Sequence, residues 1–182
     1  MRNLKRIVLV LMMGSLLTWS SCSKSDDGGG GDATAAAGTL TATVDGKSYQ
    51  SMEISSSATL VNAGSVKNLV IIASNSDGNA FAMTIFGYTG TGTYEFTGAN
   101  VAVTNTASYT ETAVNLSNPM ASTTEIWQAP FDATLAGSIT IDEETATNLK
   151  GTFSFTCKNV NGDQSIKNVT SGAFNLEIQT AT

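Results

Sequence analysis

Leu149–Lys158 reads LKGTFSFTCK, and Ala173–Ile178, near the end of the chain, reads AFNLEI. In both stretches apolar residues stand at every second position, with mostly polar residues between them. Because successive side chains of a β-strand point to opposite faces, this period predicts two half-buried strands. We therefore expect one shared buried face, made by Phe153, Phe155, Cys157, Phe174, Leu176 and Ile178.

The same period continues through the sequence before these strands. An alternating stretch at residues 40–44 ends in Asp45-Gly46, a strong signal for a two-residue hairpin turn. The continuously apolar stretch at residues 68–74 is typical of a central strand. Gly137–Ile141 is expected to pair with Leu149–Lys158 across an acidic loop at residues 142–144.

Consecutive hairpins of this kind predict an all-β fold. The strands are expected to form an antiparallel meander that closes as a two-sheet β-sandwich or as a lipocalin-like barrel. Residues 38–182 are the size of one domain, and no second linker or internal repeat interrupts them. The expected organisation is a signal peptide at 1–21, a disordered tether at 22–37 and this single β-domain.

The N-terminus has the three regions of a lipoprotein signal peptide. A cationic start with Arg2, Lys5 and Arg6 precedes the apolar run Ile7–Leu17, which is too short for a permanent membrane span. Cys22 follows small residues at the end of this run, as in a bacterial lipobox, although Trp19 stands where leucine is usual. Lipidation at Cys22 would anchor the protein to a membrane, and the alternative is an ordinary cleavage site.

The polar segment after Cys22 carries an acidic pair, Asp26-Asp27, and then Gly28–Gly31. The acidic pair resembles the surface-export signal of Bacteroidota-type lipoproteins, which implies the outer membrane and the cell surface. The alternative is a plain polar spacer, since Gly/Ser/Asp runs are also what flexible linkers contain.

Thr110–Phe131, with Pro119 and Pro130 inside it, is expected to be an irregular segment, because proline interrupts strand pairing. Long irregular loops are often functional. The aromatic residues Tyr109, Trp127 and Phe131 are therefore candidate ligand-binding residues, which would stack a sugar ring or anchor a protein partner. The alternative is that they fill the core.

Charge and composition exclude several classes of function. The chain has no histidine, which removes Ser-His-Asp catalysis and histidine-ligated metals. Its formal charge of −6 argues against nucleic acid as a partner. Without residues 1–21 three positive charges are lost, so that six Lys+Arg face 15 Asp+Glu and the charge becomes −9.

No catalytic residue, metal site or cofactor is predicted from the motifs. The sequences around Asn75–Gly78 and Asn159–Gly162 imitate parts of calcium loops, but they lack the first and last ligands and are interpreted as hairpin turns. Paired carboxylates are the acid/base chemistry left to a chain without histidine. Glu95 and Glu111 are isolated in sequence, so a carboxylate-based hydrolase is only the alternative hypothesis to a non-catalytic protein.

Five stretches of the chain together resemble a family of small Bacteroidota-type surface lipoproteins of unknown function. The resemblance extends over nearly all of residues 38–178, and it implies an all-β surface lipoprotein without assigning a catalytic residue. The stretches are ATVDGK at 42–47, GTYEF at 92–96, GSITI at 137–141, KGTFSF at 150–155 and VTSGAFNL at 169–176.

These observations leave three hypotheses about function. The first is a non-catalytic binding or interaction module on the cell surface, whose ligand is a glycan, a small apolar molecule or an envelope protein. The second is a purely structural envelope lipoprotein. The third is a glycan-active enzyme that uses carboxylates.

Overall fold

The computed structural model describes residues 34–100 and 102–181. Apart from two short 3-10 turns, at Glu53–Ser55 and Pro119–Ala121, the regular structure is all β-strand, which confirms the predicted fold class. Within these residues, no helix has the length and apolar character needed to cross a membrane. The predicted signal peptide, Cys22 and most of the tether lie outside the described residues. The strands are β1 (Thr39–Val44), β2 (Lys47–Gln50), β3 (Ser56–Ala63), β4 (Val66–Ser74), β5 (Ala80–Ile85), β6 (Gly92–Thr97), β7 (Thr106–Ala113), β8 (Thr123–Ala129), β9 (Leu135–Glu144), β10 (Asn148–Lys158) and β11 (Ile166–Ala181).

The strands form one mixed sheet in the order β2-β1-β11-β3-β4-β5-β7-β8-β10-β9-β6. β10 also pairs with β11, so that β11, β3, β4, β5, β7, β8 and β10 form a closed ring. The ring closes through a single residue pair between β8 and β10, Gln128 with Lys158. The fold therefore combines a barrel-like closure with inner faces packed against each other as in a sandwich.

The strand order departs from a simple meander in several places. β11 pairs with β3 in parallel, whereas the other pairings of the sheet are antiparallel. β6 lies at a sheet edge against β9, and β5 pairs with β7 instead. β9 and β10 form the predicted hairpin, but Asp142 and Glu143 belong to β9, and the turn begins at Thr145. The predicted acidic loop is thus an extension of the strand.

The inner faces of the sheet enclose an aromatic core. Phe81 on β5 is fully buried and lies 4.8 Å from the Tyr49 ring and 5.6 Å from the Phe153 ring, measured between centroids. Phe155 lies 6.2 Å from Phe81 and 5.7 Å from Phe96. These edge-on contacts join β2, β5, β6 and β10, so the aromatic cluster fixes how the strands pack together.

The buried face predicted on β10 and β11 is confirmed. Phe153, Phe155 and Cys157 on β10 are buried, as are Phe174 and Leu176 on β11, and Ile178 is partly buried against the same core. Burial raises the pKa of the Cys157 thiol to about 12, which keeps it protonated and unreactive as a nucleophile. Cys157 therefore serves as a small apolar core residue.

The predicted turn at Asp45-Gly46 is also confirmed. Asp45 has φ +47° and Gly46 has φ +79°, the pair of positive angles that a type I′ hairpin turn requires. The turn brings β2 back against β1 and places Tyr49 directly opposite Ala42. Val44, Asp45 and Lys47 thereby come to one end of the domain, here called the cleft end.

The N-terminal segment joins the opposite end of the sheet. The Gly38 amide donates to the Asn175 carbonyl at 2.7 Å, and the Asn175 side-chain amide donates to the Ala35 carbonyl at 3.5 Å. Along β11, Asn175 pairs with the first residue of β1, and Val169 pairs with the last. The chain therefore enters the domain at the end of β11 that is remote from the cleft end.

Candidate functional site

Half of the segment Thr110–Phe131 belongs to the strands of a regular hairpin, so the prediction of an irregular segment is wrong for residues 110–113 and 123–129. β7 and β8 pair from Ala107 with Ala129 to Ala113 with Thr123. Pro119 lies in the connecting loop, and Pro130 follows β8 directly, with a cis bond to Ala129. The two prolines flank β8 rather than interrupt it, which is compatible with strand pairing.

The predicted aromatic residues are distributed between the core and its border. Tyr109 and Trp127 face each other across β7 and β8, with 6.3 Å between ring centroids, and each is only 4% exposed. Phe131 lies just after β8 and is partly buried. The arrangement is thus not an exposed platform, and a role in ligand binding stays a prediction for all three residues.

Lys167 lies beneath this end of the sheet and is only 16% exposed. Its ammonium stands 4.3 Å from the centre of the Trp127 ring and 5.9 Å from that of Tyr109. It also contacts a Glu111 carboxylate oxygen at 3.0 Å and approaches Asp45 to 3.9 Å. Because its charge is shared by two carboxylates and two aromatic faces, Lys167 holds β7, β8 and the β1–β2 turn together.

The Trp127 indole is satisfied by a hydrogen bond. Its Nε1 donates to the Ser165 hydroxyl at 2.9 Å, so the loop between β10 and β11 closes over the ring. The same loop is shaped by Asn159, whose carbonyl accepts from the Gln164 amide at 3.1 Å. Residues 159–162 therefore form a turn, as predicted.

A cleft of about 560 Å³ opens at the cleft end, and its lining includes Tyr109 and Glu111, which also contact Lys167. Its floor is made by Tyr49 and Tyr109, both nearly buried, and its walls come from β2, the β4–β5 turn, β7 and β8. The side chains on these walls are mostly hydroxyls, amides and carboxylates. They include Lys47, Ser48, Asn75, Asp77, Asn79, Glu111, Thr112, Thr123 and Glu125.

The turn between β4 and β5 is a rigid part of this wall. The Asn75 side-chain oxygen accepts from the Asp77 amide at 3.0 Å and from the Asn79 amide at 2.9 Å. The Asn79 side-chain oxygen in turn accepts from the Thr112 amide on β7 at 3.1 Å. Asn75–Gly78 is thus the hairpin turn that the sequence predicted, and it is tied to the hairpin on the other side of the cleft.

Two carboxylates face each other across the cleft wall. Glu111 on β7 and Glu125 on β8 are directly opposite in the strand register, a pairing that repels when both are charged. Lys167 neutralises Glu111, whereas Glu125 accepts a long contact of 3.5 Å from the Asn159 amide. Among the described residues, no group of three acidic or cysteine side chains is close enough to hold a metal ion.

The cleft floor is kept neutral. Burial raises the pKa of Tyr49 and of Tyr109 well above the ordinary tyrosine value, and the Glu111 carboxylate raises that of Tyr109 further. The Tyr49 hydroxyl donates to the Ala73 carbonyl at 2.9 Å and lies 3.2 Å from the Asn79 carbonyl. Both phenols therefore remain hydrogen-bond donors at physiological pH.

Sequence reasoning missed Lys167, Glu125 and Asn79 as members of the site. The sequence pattern that would place Lys167 on the inner face is interrupted by a bulge in β11 at Ser171, whose φ is +50°. After the bulge, the even positions 174 and 176 face the core, but before it the odd position 169 does so. Extending that odd pattern backwards from Val169 places Lys167 on the inner face, where the structure has it.

A family model described as a domain of unknown function (DUF6252) matches residues 36–176. The chain belongs to this family. The match includes every strand of the sheet, ending within β11, and with them all of the residues that line the cleft. No curated protein and no solved structure matches the chain.

Proposed function

We propose that this DUF6252 protein is a lipid-anchored outer-membrane lipoprotein, exposed on the cell surface, whose β-domain is a non-catalytic binding module. The observation that carries this proposal is the cleft between Tyr49, Tyr109 and the β7–β8 hairpin. A concave site with a neutral aromatic floor and converging polar groups is the common form of a ligand site. The anchor is assigned from the sequence around Cys22.

The position of the cleft supports its presentation away from the membrane. The N-terminal segment binds at Asn175, whereas Lys167 contacts Glu111, which lines the cleft. The eight steps of β11 from Lys167 to Asn175 include the bulge at Ser171 and pair with seven steps of β10, which correspond to about 23 Å at the rise of a β-strand. A tether that leads from Cys22 to the N-terminal end would leave the cleft facing the surroundings of the cell.

The chemistry of the cleft favours a polar ligand. The core is filled by packed aromatic and aliphatic side chains, so a lipocalin-like apolar cavity is not the basis of this proposal. The cleft walls offer free carboxylate and hydroxyl oxygens together with the amide groups of Asn75 and Asn79. Glycans and polar protein surfaces carry the hydrogen-bonding groups that such walls complement.

A thermal-shift screen with a filled-cleft variant tests this function. Neutral, acidic and amino-bearing oligosaccharides and short peptides are compared on the wild-type protein and on Thr123→Tyr, which places a ring in the cleft. A ligand of the cleft should raise the melting temperature of the wild type but not that of the variant. Thr124→Tyr is the control, because the neighbouring position does not line the cleft. The proposal is wrong if no compound distinguishes Thr123→Tyr from its control, and a purely structural lipoprotein then becomes the better account.

A second function is favoured by one observation, the opposed pair Glu111 and Glu125. Opposed carboxyl groups are the usual machinery of glycoside hydrolysis, where one protonates the leaving oxygen and the other activates water or attacks the sugar. A carboxylate-based hydrolase predicts release of reducing ends from an oligosaccharide that Glu125→Gln abolishes and Glu95→Gln leaves intact. Binding without release would assign the cleft to recognition alone.

A further inference from the structure

The loop that joins β7 and β8 exposes apolar side chains beside the cleft. Leu116 is 90% exposed, Met120 94% and Val114 59%. Isolated exposed apolar residues are common on protein surfaces, but here three lie within seven residues of one loop. We call residues 113–123 the hairpin tip.

The hairpin tip differs in charge from the surface around it. From Ala113 to Thr124 the chain carries no charged residue, although the protein as a whole is strongly acidic. Carboxylates border the tip on both strands, at Glu111 and Glu125, and Asp77 lies across the cleft. The result is an apolar centre with an acidic border.

The tip is also held in one conformation by its own hydrogen bonds. The Asn115 side-chain oxygen accepts from the amides of Ser117 and Asn118, at 3.1 and 2.9 Å. The Asn115 amide donates to the Ser122 hydroxyl at 3.0 Å, which joins the two sides of the loop. Because the loop is ordered before binding, little conformational entropy is lost when a partner covers it.

We propose that the hairpin tip inserts into an apolar pocket of a partner protein, and that this pocket is rimmed by lysine or arginine. An apolar centre within a charged border is the usual layout of a protein interface. Charge complementarity fixes the sign of the rim, since Glu125 and Asp77 would repel an acidic one, whereas Glu111 is neutralised by Lys167. The inference rests on the proposed function and names the class of ligand that the cleft end recognises.

Other occupants fit the tip less well. A glycan in the cleft would leave Leu116 and Met120 in water. An anionic membrane surface would be repelled by the acidic border and by the negative charge of the whole chain. The tip also lies at the end of the domain opposite to the attachment of the N-terminal segment.

Photocrosslinking on intact cells tests the proposal with the full-length protein. The photoreactive residue p-benzoylphenylalanine replaces Leu116, or in the control Ile54, which is similarly exposed at 94% but lies in the turn before β3. Position 116 should give a protein adduct that position 54 does not. Mass spectrometry of that adduct should place the linked residue in an apolar pocket bordered by lysine or arginine.

Two further variants measure, in the same assay, how much the apolar side chain of Met120 and the charge of Glu125 each contribute to binding. Met120→Ser, combined with the crosslinker at 116, should lower the adduct yield about fivefold or more, as loss of one central interface side chain does. Glu125→Gln should lower it less, and added salt should reduce this difference.

Three outcomes would overturn the proposal. They are an adduct with lipid or glycan, a linked site without basic residues, and no adduct beyond that at position 54. If any one of them occurs while the thermal-shift screen still identifies a ligand excluded by Thr123→Tyr, the binding function stands and only the protein partner is wrong. If the screen also fails, the proposed function fails with it.

Discussion

Lys167 is the residue on which the cleft end depends most. Its ammonium is largely removed from water and is compensated by Glu111, by Asp45 and by the faces of Trp127 and Tyr109. Removing one partner of such a cluster leaves the remaining charges without compensation. Because Glu111 and Asp45 are partly exposed, solvent reduces that cost.

We expect Lys167→Met to lower the free energy of unfolding by about 1 to 3 kcal/mol. Urea denaturation of the variant and the wild type measures the difference. Lys150→Met is the matched control, because Lys150 forms an ion pair with Glu143 at 2.9 Å in which both side chains are about half exposed. The control should change stability by no more than about 0.5 kcal/mol. Equal effects of the two substitutions would contradict the role given to Lys167.

The buried tyrosines make a prediction about alkaline pH. Burial raises the pKa of Tyr49, Tyr88 and Tyr109 in the folded protein, and Glu144 and Glu111 add to the effect at Tyr88 and Tyr109. Above about pH 10 the unfolded chain loses these protons while the folded protein retains them. The folded state then binds more protons than the unfolded state, so stability must fall as the pH rises.

Urea midpoints measured between pH 8 and pH 11 test this dependence. The stabilising contribution is fully present below the ordinary tyrosine value and decreases above it, and Cys157 adds a decrease of the same sign between pH 9.0 and about 12. Tyr109→Phe and Cys157→Ala should each flatten the decline. A stability that is constant or increasing over this range would show that these groups are exposed.

At the scale of the strands, the pairing of β10 with β11 and β9 organises the sheet. Phe155 on β10 lies at 6.2 Å or less from Phe81, Phe96 and Phe153, measured between ring centroids. We expect Phe155→Ala to lower the free energy of unfolding by about 3 to 5 kcal/mol, because it opens a cavity between packed rings. Ser154→Ala, on the outer face of the same strand, should change it by less than about 0.5 kcal/mol. Similar values for the two would mean that the faces of β10 are assigned in reverse.

The sequence predicts strands correctly where the alternation of apolar residues and the turn residues indicate the same structure. The β1–β2 hairpin is one example, since Asp45-Gly46 and the buried Leu40, Ala42 and Val44 indicate the same structure. The β7–β8 hairpin was missed because its prolines stand just outside the paired residues, where they do not remove a ladder hydrogen bond. The two prolines and the length of the segment together predict an irregular segment from the sequence.

The residues of the cleft are harder to predict from the sequence, because they come together only through strand register and long-range strand pairing. Glu111 and Glu125 are isolated in sequence and become opposed only through the register across the hairpin. The bulge at Ser171 reverses the inward face of β11 and hides Lys167 from a simple period of two. Tyr109 and Trp127 are both predicted as ligand-binding residues. Their burial follows from the hairpin and not from their own neighbours in the sequence.

At the scale of the whole molecule, Asn175, which binds the N-terminal segment, lies about 23 Å along β11 from Lys167. We expect Cys22 to be the first residue of the mature protein and to carry lipid. Mass spectrometry or metabolic acyl labelling should detect a lipid-modified Cys22, and Cys22→Ala should release the protein from the membrane fraction. An unmodified N-terminus in the soluble fraction would remove the anchor from the account.

The β7–β8 hairpin packs its aromatic face inward, with Trp127 only 4% exposed, and leaves the cleft open. Trp127 reports on this arrangement, since it is the sole tryptophan of a protein that lacks residues 1–21. We expect blue-shifted emission from that protein, weak quenching by acrylamide, and a change in emission when a cleft ligand displaces Glu111 or Lys167. Emission typical of solvated indole with strong quenching would contradict it, because Trp127 would then lie outside the core.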